Sequence, residues 1–402
     1  MTATRQMAPR QAAVNAAMAY AGALVAQTGI QLIAPSLPVM RDALGLTDAR
    51  LALVTSVYLL PAALAALPAG IAADRLGRRR VFGWSMLLLG VCGVGLQFAT
   101  GSFGLFLAIR FIQGTAFAGM MPLTMTILGD AYSGAALIRA HGRRTVFMHL
   151  GDGLLPIIGG LVVAIGWQTP WLGQIVGIPF GFLVLAKMAD PSSLDGGSER
   201  VRFGSFLTAF RTLPIVSLQV IGFLRMFLKF GIVTFIPLLL DDQRTMSPAF
   251  AGVVVGVAAL TSALPAAVIG VTGGSGRPAG QVGIGVAGAG LGLLVMAHTT
   301  STPLILAAAL LYGITDGLSG VYVNAFVSSA TDADQRASFV AATGAIRNFA
   351  KFLAPATIGA LTLVAPLIVT FTTIGLITLA AAALWIPLRA LEPRLADQRS
   401  TV

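Results

Sequence analysis

The sequence predicts an all-α polytopic membrane protein with twelve transmembrane helices. Hydrophobic residues fill 56% of the 402 positions and only 10% are Asp, Glu, Lys or Arg, whereas about 25% is typical of soluble domains. The mean hydropathy is +0.86. So few charged side chains cannot cover a soluble domain of this length. The composition excludes a soluble enzyme and a disordered chain, and the single cysteine, Cys92, excludes an intrachain disulfide.

The apolar residues fall into twelve runs of about 20 residues, the length that a helix needs to cross a bilayer. None of these runs alternates apolar with polar residues, as the strands of a membrane β-barrel do. The predicted helices span residues 14–38, 51–73, 81–99, 104–128, 145–166, 170–188, 214–240, 249–271, 279–297, 302–327, 338–363 and 367–389.

A long polar stretch separates the first six predicted helices from the last six. We therefore predict an N-terminal six-helix bundle at residues 1–189, a cytoplasmic linker at 190–213 and a C-terminal six-helix bundle at 214–402. Identical residues also recur at a constant offset of 199 positions. This repeat predicts two pseudo-symmetric halves, with a binding site between them near the middle of the membrane. The repeated pairs include Pro38 and Pro237, Asp42 and Asp241, Gly114 and Gly313, and Pro156 and Pro355.

The basic residues favour one side of the predicted helices. With a cytoplasmic N-terminus, 18 of the 26 Lys and Arg residues are cytoplasmic, five lie within the helices, and three (Arg41, Arg50 and Arg244) are external. Because positive residues mark cytoplasmic loops, we predict a multi-pass protein of the inner membrane with both termini in the cytoplasm. The same bias accounts for the net charge of +11 without a nucleic-acid partner.

The connection between the second and third predicted helices carries a charged motif, Gly70-Ile71-Ala72-Ala73-Asp74-Arg75-Leu76-Gly77-Arg78-Arg79. It resembles the signature G-x-x-x-D-R-x-G-R-R of the major facilitator superfamily. The resemblance implies the major facilitator fold, in which this loop closes the cytoplasmic side of the outward-open state. Glycine at the first position should allow close packing, and Gly77 a tight turn. The matching residues are Gly70, Asp74, Arg75, Gly77, Arg78 and Arg79.

Two further motifs resemble those of drug:proton antiporters in this family. Arg110-Phe111-Ile112-Gln113-Gly114 resembles R-x-x-Q-G, whose arginine the resemblance connects with proton transfer. The run from Gly151 to Gly160 resembles the helix-packing motif G-x-x-x-G-P-x-x-G-G at Pro156, Gly159 and Gly160, with Leu155 in place of the glycine before proline. The resemblance implies proton-coupled export of drugs.

Seven charged residues lie well inside the predicted helices, where charge is costly. Arginine keeps its proton at physiological pH, so the titratable candidates are the two aspartates and two lysines. Asp152 is our first candidate for proton coupling, Asp316 the second, and Arg110 a partner in the transfer. The alternative is that both aspartates are fixed counter-ions of neighbouring bases. The seven are Arg110, Asp152, Arg225, Lys229, Asp316, Arg347 and Lys351.

The remaining cations and three glutamines are candidates for a substrate cavity. Arg225 and Lys229 share one face of the seventh predicted helix, as Arg347 and Lys351 do on the eleventh. The seven buried charges sum formally to +3, which favours an anionic or amphipathic substrate. Many drug antiporters of the family keep an acid in the first helix, where this chain has glutamines. The glutamine candidates are Gln27, Gln31 and Gln113.

The sequence thus predicts a secondary transporter that exports small molecules by alternating access in exchange for protons. The alternative is an uptake symporter or facilitator for an anionic metabolite. A scaffold without transport activity or a lipid-handling enzyme would leave the motif loop and the buried charges without a role. The three histidines lie on separate elements and no GxxxxGK[ST] loop occurs, so we expect no metal site, no cofactor and no ATP coupling. We expect a monomer whose partners are a small-molecule substrate, protons and the lipid bilayer.

Overall fold

The computed structural model describes residues 7–64, 66–190, 212–244, 246–272, 277–331 and 333–395. Within these ranges the secondary structure is helical, with no strand. Ten of the described helical segments are long and apolar enough to cross a membrane. The predicted all-α class is confirmed, while the number of twelve membrane helices stays a prediction. Residues 191–211 of the predicted linker lie outside the described ranges.

The Cα positions group into two compact units. The first unit takes in Met1–Ser198 and Met246–Val253, and the second takes in Glu199–Thr245 and Val254–Val402. The domain boundaries that the sequence predicts at residues 189 and 214 stay predictions.

The first unit is built from long helices joined by short irregular turns. A π-helix at Thr28–Leu32 and a 3-10 turn at Ala34–Ser36 continue the first helix into the second, and a 3-10 turn at Gly173–Val176 joins the last two. The helices are α1 (Pro9–Gln27), α2 (Leu37–Leu44), α3 (Asp48–Leu64), α4 (Ala66–Leu76), α5 (Arg78–Gly95), α6 (Phe103–Ala131), α7 (Gly134–Val162), α8 (Thr169–Leu172) and α9 (Gly177–Lys187).

Local sequence sets where several of these helices begin. Pro9 occupies the first turn of α1, where a missing backbone N–H costs nothing. The Ser102 hydroxyl caps α6 by accepting a hydrogen bond from the Leu105 N–H at 3.4 Å. Gly77 separates α4 from α5 with a φ of 92°, which glycine adopts without strain. The tight turn expected at Gly77 is therefore present.

Gly70, at the first position of the same motif, has a different environment from the one expected. A Cβ built on Gly70 meets no described atom within 4 Å. Close helix packing therefore does not explain this glycine, and that expectation was wrong for the part of the chain described. The close approach in this loop is at Gly77, where a Cβ would lie 2.7 Å from Asp190 Oδ2.

Helix α7 begins at Gly134, well before the start predicted at residue 145. Arg139, Arg143 and Arg144, which fall between the helices predicted at 104–128 and 145–166, therefore lie on a helix, and the predicted start at residue 145 was wrong. Arginine is a good helix former, so a helix with polar residues can extend beyond the apolar run. Arg144 is buried and donates from Nε to the Thr124 hydroxyl at 2.5 Å, while Arg143 is exposed.

The glycines of the helix-packing motif allow α7 to contact other backbone directly. A Cβ on Gly159 would collide with the Leu32 carbonyl oxygen and would lie 2.9 Å from its carbonyl carbon. A Cβ on Gly160 would lie 2.5 Å from the Pro248 carbonyl oxygen, in the segment that groups with the first unit. Pro156 lies inside the same helix. The motif thus holds α7 against the end of the π-helix.

The second unit contains the remaining helices, and the first residues of α11 group with the first unit. Close packing of α13 on α14 depends on small residues, since a Cβ on Gly285 would lie 2.6 Å from the Thr315 carbonyl oxygen. Ile221, Val323 and Phe326 are completely buried in its core. The helices are α10 (Leu213–Arg244), α11 (Pro248–Thr261), α12 (Leu264–Thr272), α13 (Pro278–His298), α14 (Thr302–Ser329), α15 (Ala333–Leu361), α16 (Leu367–Ala381) and α17 (Trp385–Leu388).

The packing of α7 makes a prediction about two glycines of one helix. Gly159→Ala should destabilise the protein by about 1–3 kcal/mol, because the added methyl group overpacks the contact with Leu32. Gly142→Ala is the matched control, since a Cβ there meets no described atom within 4 Å and alanine favours helix more than glycine does. Thermal unfolding in detergent, followed by tryptophan fluorescence, measures both. Equal unfolding temperatures for the two variants would contradict the packing role of Gly159.

Candidate functional site

Arg110 is completely buried in the first unit. Its guanidinium donates from Nε to the Val54 carbonyl at 3.0 Å and from both Nη atoms to the Gly29 carbonyl at 3.2 Å. Its Cζ atom lies 4.2 Å from the centre of the Tyr58 ring and 5.2 Å from that of Trp171. In the described part of the chain, backbone carbonyls and aromatic faces therefore stabilise this cation in place of a carboxylate.

Gln113 extends the contacts of Arg110 to two further elements. Its Oε1 accepts from Arg110 Nη1 at 2.6 Å, and its Nε2 donates to the Leu89 carbonyl at 3.1 Å and to Gln174 Oε1. Gln113 is completely buried, and its assignment to a substrate cavity stays a prediction. Gln174 and Trp171 are not among the candidates that the sequence identifies. Both lie in the apolar run at 170–188, where a polar or indole side chain could have indicated a buried hydrogen-bond partner.

The π-helix that follows α1 provides the backbone that Arg110 binds. Such segments are rare and occur frequently at functional sites. A Cβ on Gly29 would collide with the Tyr58 hydroxyl and would lie 2.6 Å from Tyr58 Cζ. Glycine at this position thus lets both Tyr58 and the Arg110 guanidinium approach the main chain.

Asp152 of α7 contacts the same stretch of the chain. It is 1% exposed, and its Oδ1 accepts hydrogen bonds from Gln31 Nε2 at 3.0 Å and from Gln27 Nε2. Gly151 allows this approach, because a Cβ there would already lie 3.2 Å from Gln27 Cβ. The structure therefore brings together three residues that the sequence proposed for separate roles, with the amides of Gln27 and Gln31 as donors to the Asp152 carboxylate.

The second unit has its own buried ion pair. Arg225 donates from Nε to Asp316 Oδ1 at 2.9 Å and from Nη2 to the Asp316 carbonyl at 3.0 Å. A Cβ on Gly320 would lie 2.5 Å from Arg225 Nη2, so glycine makes room for the guanidinium. This geometry supports the counter-ion alternative for Asp316.

Arg347 lies beside this ion pair. Its Nη1 donates to Asn324 Oδ1 at 2.8 Å, whereas its Nε and Nη2 atoms are buried and have no hydrogen-bond partner among the described residues. A Cβ on Gly222, one helical turn before Arg225 on α10, would lie 3.3 Å from Arg347 Nε. Buried donors are normally satisfied, so this group is suited to bind an acceptor that carries negative charge.

The two lysines proposed for the substrate cavity, Lys229 and Lys351, lie near the arginines of the second unit. Lys351 donates from Nζ to Asn348 Oδ1 at 3.0 Å and lies 5.7 Å from the centre of the Phe230 ring. Lys229 is partly exposed on α10. Both lysines therefore lie on the same two helices as Arg225 and Arg347, as the sequence predicts.

The signature loop is held by three carboxylates of the first unit. Arg78 pairs with Asp74 at 4.0 Å and more closely with Asp130 at the end of α6. The Arg79 backbone N–H donates to Asp190 Oδ1 at 2.7 Å, at the start of α5. The sequence did not single out Asp130 or Asp190; each follows a predicted apolar helix on the side that carries the basic motif, which was the available signal.

The start of α1 fixes the segment that carries Asp190. Asn15 donates from Nδ2 to the Ala189 carbonyl at 2.8 Å and accepts from the Ala189 N–H at 3.1 Å. Gln11 donates to the Lys187 carbonyl at 3.0 Å. The signature loop is thereby connected to α1, the helix that also contacts Asp152.

Comparison with known proteins shows relatives that transport small molecules. The Bacillibactin exporter of Bacillus subtilis (strain 168) is 25% identical over 55% of this chain and 57% of its own length. Multidrug resistance protein MdtL of Shewanella sp. (strain ANA-3) is 31% identical over 37% of this chain and 36% of its own length. The match thus spans about half or less of these two relatives. Multidrug efflux pump Tap of Mycobacterium tuberculosis (strain ATCC 25618 / H37Rv) is 28% identical over 72% of each chain.

Solved structures share the fold over nearly the whole chain. A bacterial homolog of the human lysosomal transporter Spinster, inward-facing and unoccupied, has a TM-score of 0.73 at 15% identity and covers 97% of both chains. A POT family transporter in complex with a thioalcohol conjugated peptide has a TM-score of 0.77 at 15% identity and covers 96% of both. The human organic anion transporter MFSD10 has a TM-score of 0.66 at 19% identity, covering 94% of this chain and 100% of its own.

The family model for the Major Facilitator Superfamily matches residues 19–355. This match agrees with the all-α membrane fold, with the signature loop around Gly77 and with the transporters that share the fold. It points to transport rather than to enzymatic chemistry. The chain belongs to the major facilitator superfamily and is a multi-pass membrane protein.

Proposed function

We propose that this protein exports small molecules across the cytoplasmic membrane in exchange for protons. The observation that carries the proposal is the buried Asp152 carboxylate, which accepts hydrogen bonds from Gln27 and Gln31 inside the first unit. Relatives named as an exporter and as multidrug efflux pumps support the direction of transport. The basic residues support a cytoplasmic location for both termini. We further propose that the transporter acts as a monomer.

A proton-coupled exporter needs a carboxylate that holds a proton in one conformation and releases it in another. Hydrogen-bond donors favour the ionised form of a carboxylate, whereas burial without donors favours the neutral acid. The amides of Gln27 and Gln31 are such donors. We infer that movement of α1 makes and breaks the contacts of both amides with the Asp152 carboxylate, and that proton exchange accompanies this movement.

The π-helix gives this step a structural connection to Arg110. Gln31 lies within the π-helix and Gln27 directly precedes it, while the carbonyl of Gly29 between them accepts from Arg110. A change in the register of this segment would move the two amides relative to Asp152 and alter the Arg110 contact together. Arginine does not carry the proton; on this proposal Arg110 fixes the main chain that positions the donors.

Arg347 favours a substrate with an anionic or strongly electronegative group. Two of its buried nitrogens have no described partner, and charge-assisted hydrogen bonds to a substrate would satisfy them. The same observation supports the second candidate function, an uptake symporter or facilitator for an anionic metabolite. Measurement of the direction in which protons move when substrate is transported separates these two functions.

The first prediction from this proposal concerns Asp152. Asp152→Asn keeps the size of the side chain but cannot bind or release the proton, so accumulation driven by a pH gradient should fall by about tenfold or more, within the usual range of coupling energies. Flux is measured in proteoliposomes with and without an imposed pH gradient. Chloramphenicol and bacillibactin, named in two relatives, are the first probes. Binding of a transported probe should persist in the variant.

Asp42→Asn is the matched control, because the Asp42 side chain is 65% exposed and should leave coupling unchanged. If Asp152→Asn still concentrates a probe against its gradient, the proton is carried elsewhere, and Asp316 becomes the next residue to test.

A second prediction concerns substrate charge. Arg347→Gln should weaken binding of anionic substrates by about tenfold or more, since a hydrogen bond to a charged group contributes ~1.5–3 kcal/mol. Affinities are compared for a matched anionic and cationic dye, carboxyfluorescein and ethidium. Arg277→Gln, which alters an exposed arginine of the same unit, is the control. A preference for the cation that Arg347→Gln leaves unchanged would rule out this role.

A third prediction separates gating from stability at the signature loop. Asp74 is half exposed and 4.0 Å from Arg78, and exposed ion pairs contribute only ~0–1 kcal/mol. Asp74→Asn should therefore lower transport strongly while leaving the unfolding temperature nearly unchanged. Asp130→Asn removes the closer partner of Arg78 and should lower both. Transport at the wild-type rate by Asp74→Asn would show that the gate does not depend on this carboxylate.

A further inference from the structure

An apolar cavity of about 570 Å³ lies between α1, α7 and α9 of the first unit. Its described lining carries polar side-chain atoms only at Tyr20 and Thr28, and the Thr28 hydroxyl already donates to the Val25 carbonyl. Asp152 and its glutamine partners are not among the lining residues. The proposed proton site therefore lies outside this cavity, although Thr28 and Leu32 of the π-helix line it.

The cavity lies on a face of α7 that is apolar and exposed. Phe147 and Ile158 line the cavity and are 37% and 47% exposed. Leu150, Leu154 and Leu161 are also exposed. Their spacing of three and four residues from Phe147 and Ile158 places all five side chains on one face of α7. In a membrane protein such a face contacts the acyl chains of the bilayer.

The dimensions of the cavity match one leaflet of a bilayer. Along α7 the lining extends from Phe147 to Ile158, about 16 Å at the helical rise per residue. Half of the hydrocarbon core of a bilayer is about 15 Å thick. The cavity is therefore about as long as the acyl chain of a lipid in one leaflet.

One end of the cavity carries positive charge. Tyr20 stacks on Phe147 at a ring distance of 5.4 Å, and the exposed Arg143 lies one helical turn before Phe147 on the same helix, α7. Lys187 ends α9, and its carbonyl is bound by the start of α1, where Arg10 is exposed. Each of the three helices that line the cavity thus has a cation at this end. Clusters of this kind attract anionic lipid headgroups.

We propose that the cavity binds one acyl chain of an anionic phospholipid, with the headgroup phosphate at Arg143 and the Tyr20 hydroxyl. The apolar lining recognises the chain, and the cations recognise the charge of the headgroup. The predicted orientation places this lipid in the cytoplasmic leaflet. The site is distinct from Asp152, so its test does not depend on the proposed transport function.

The test uses the full-length protein reconstituted with phosphatidylglycerol and phosphatidylcholine of identical acyl chains, and counts the retained lipids by native mass spectrometry. The wild type should retain phosphatidylglycerol in preference. Arg143→Gln should lower that retention about fivefold, as expected for one cation at an anionic surface, and Arg143→Lys should restore it. Ala21→Phe fills the cavity and should lower retention of both lipids. Arg80→Gln, an exposed arginine on α5 away from the cavity, is the control.

Circular dichroism and thermal unfolding establish that each variant is folded; Ala17→Phe, at an exposed lining position, replaces Ala21→Phe if the latter does not fold. Equal retention of the two lipids by the wild type would overturn the assignment to an anionic headgroup. Wild-type lipid retention in the cavity-filling variant would overturn the site. If the cavity-filling variant loses binding of the transported probe but retains both lipids, the cavity belongs to the transported substrate and the lipid proposal is wrong.

Discussion

The first unit depends on the need to stabilise one buried guanidinium inside an apolar protein. Arg110 has no carboxylate beside it among the described residues, so backbone carbonyls of Val54 and Gly29 and the aromatic ring of Tyr58 take that role. Val54 and Tyr58 belong to α3 and Gly29 to the π-helix, whereas Arg110 lies on α6. Removing one partner of a buried cation is costly in free energy, because the charge is left without a hydrogen bond. The need to keep all of these partners therefore fixes α3, α6 and the π-helix relative to one another.

The two units treat their buried aspartates differently. Asp316 pairs with Arg225 in the second unit, and removal of either partner would leave the other as an uncompensated buried charge. Asp152 accepts from the neutral amides of Gln27 and Gln31, whose donors can withdraw without leaving an unpaired cation. On this argument the first unit is the better place for a reversible proton, and the second unit, with Arg347, the better place for a charged substrate group.

Most of the fold and part of the site could be predicted from sequence. Apolar runs located the helices, and the turn at Gly77 follows from glycine in the motif. The start of α7 was missed because Arg139 and Arg143 on an exposed helix resemble a polar loop in hydropathy. The contacts of Asp130 and Asp190 with the signature loop could not be predicted, since each joins residues far apart along the chain. Nor does local composition mark the π-helix, which depends on packing around it.

The most direct test of Asp152 as the proton carrier is infrared difference spectroscopy of the reconstituted protein. Addition of a transported probe at constant pH should remove the absorption of one protonated carboxylic acid in the wild type, as the probe favours the conformation in which both amides contact Asp152. The same difference spectrum of Asp152→Asn should lack that band while the amide signals of probe binding remain. A carboxylic acid band that disappears equally in Asp152→Asn would contradict the assignment, because another acid would then release the proton.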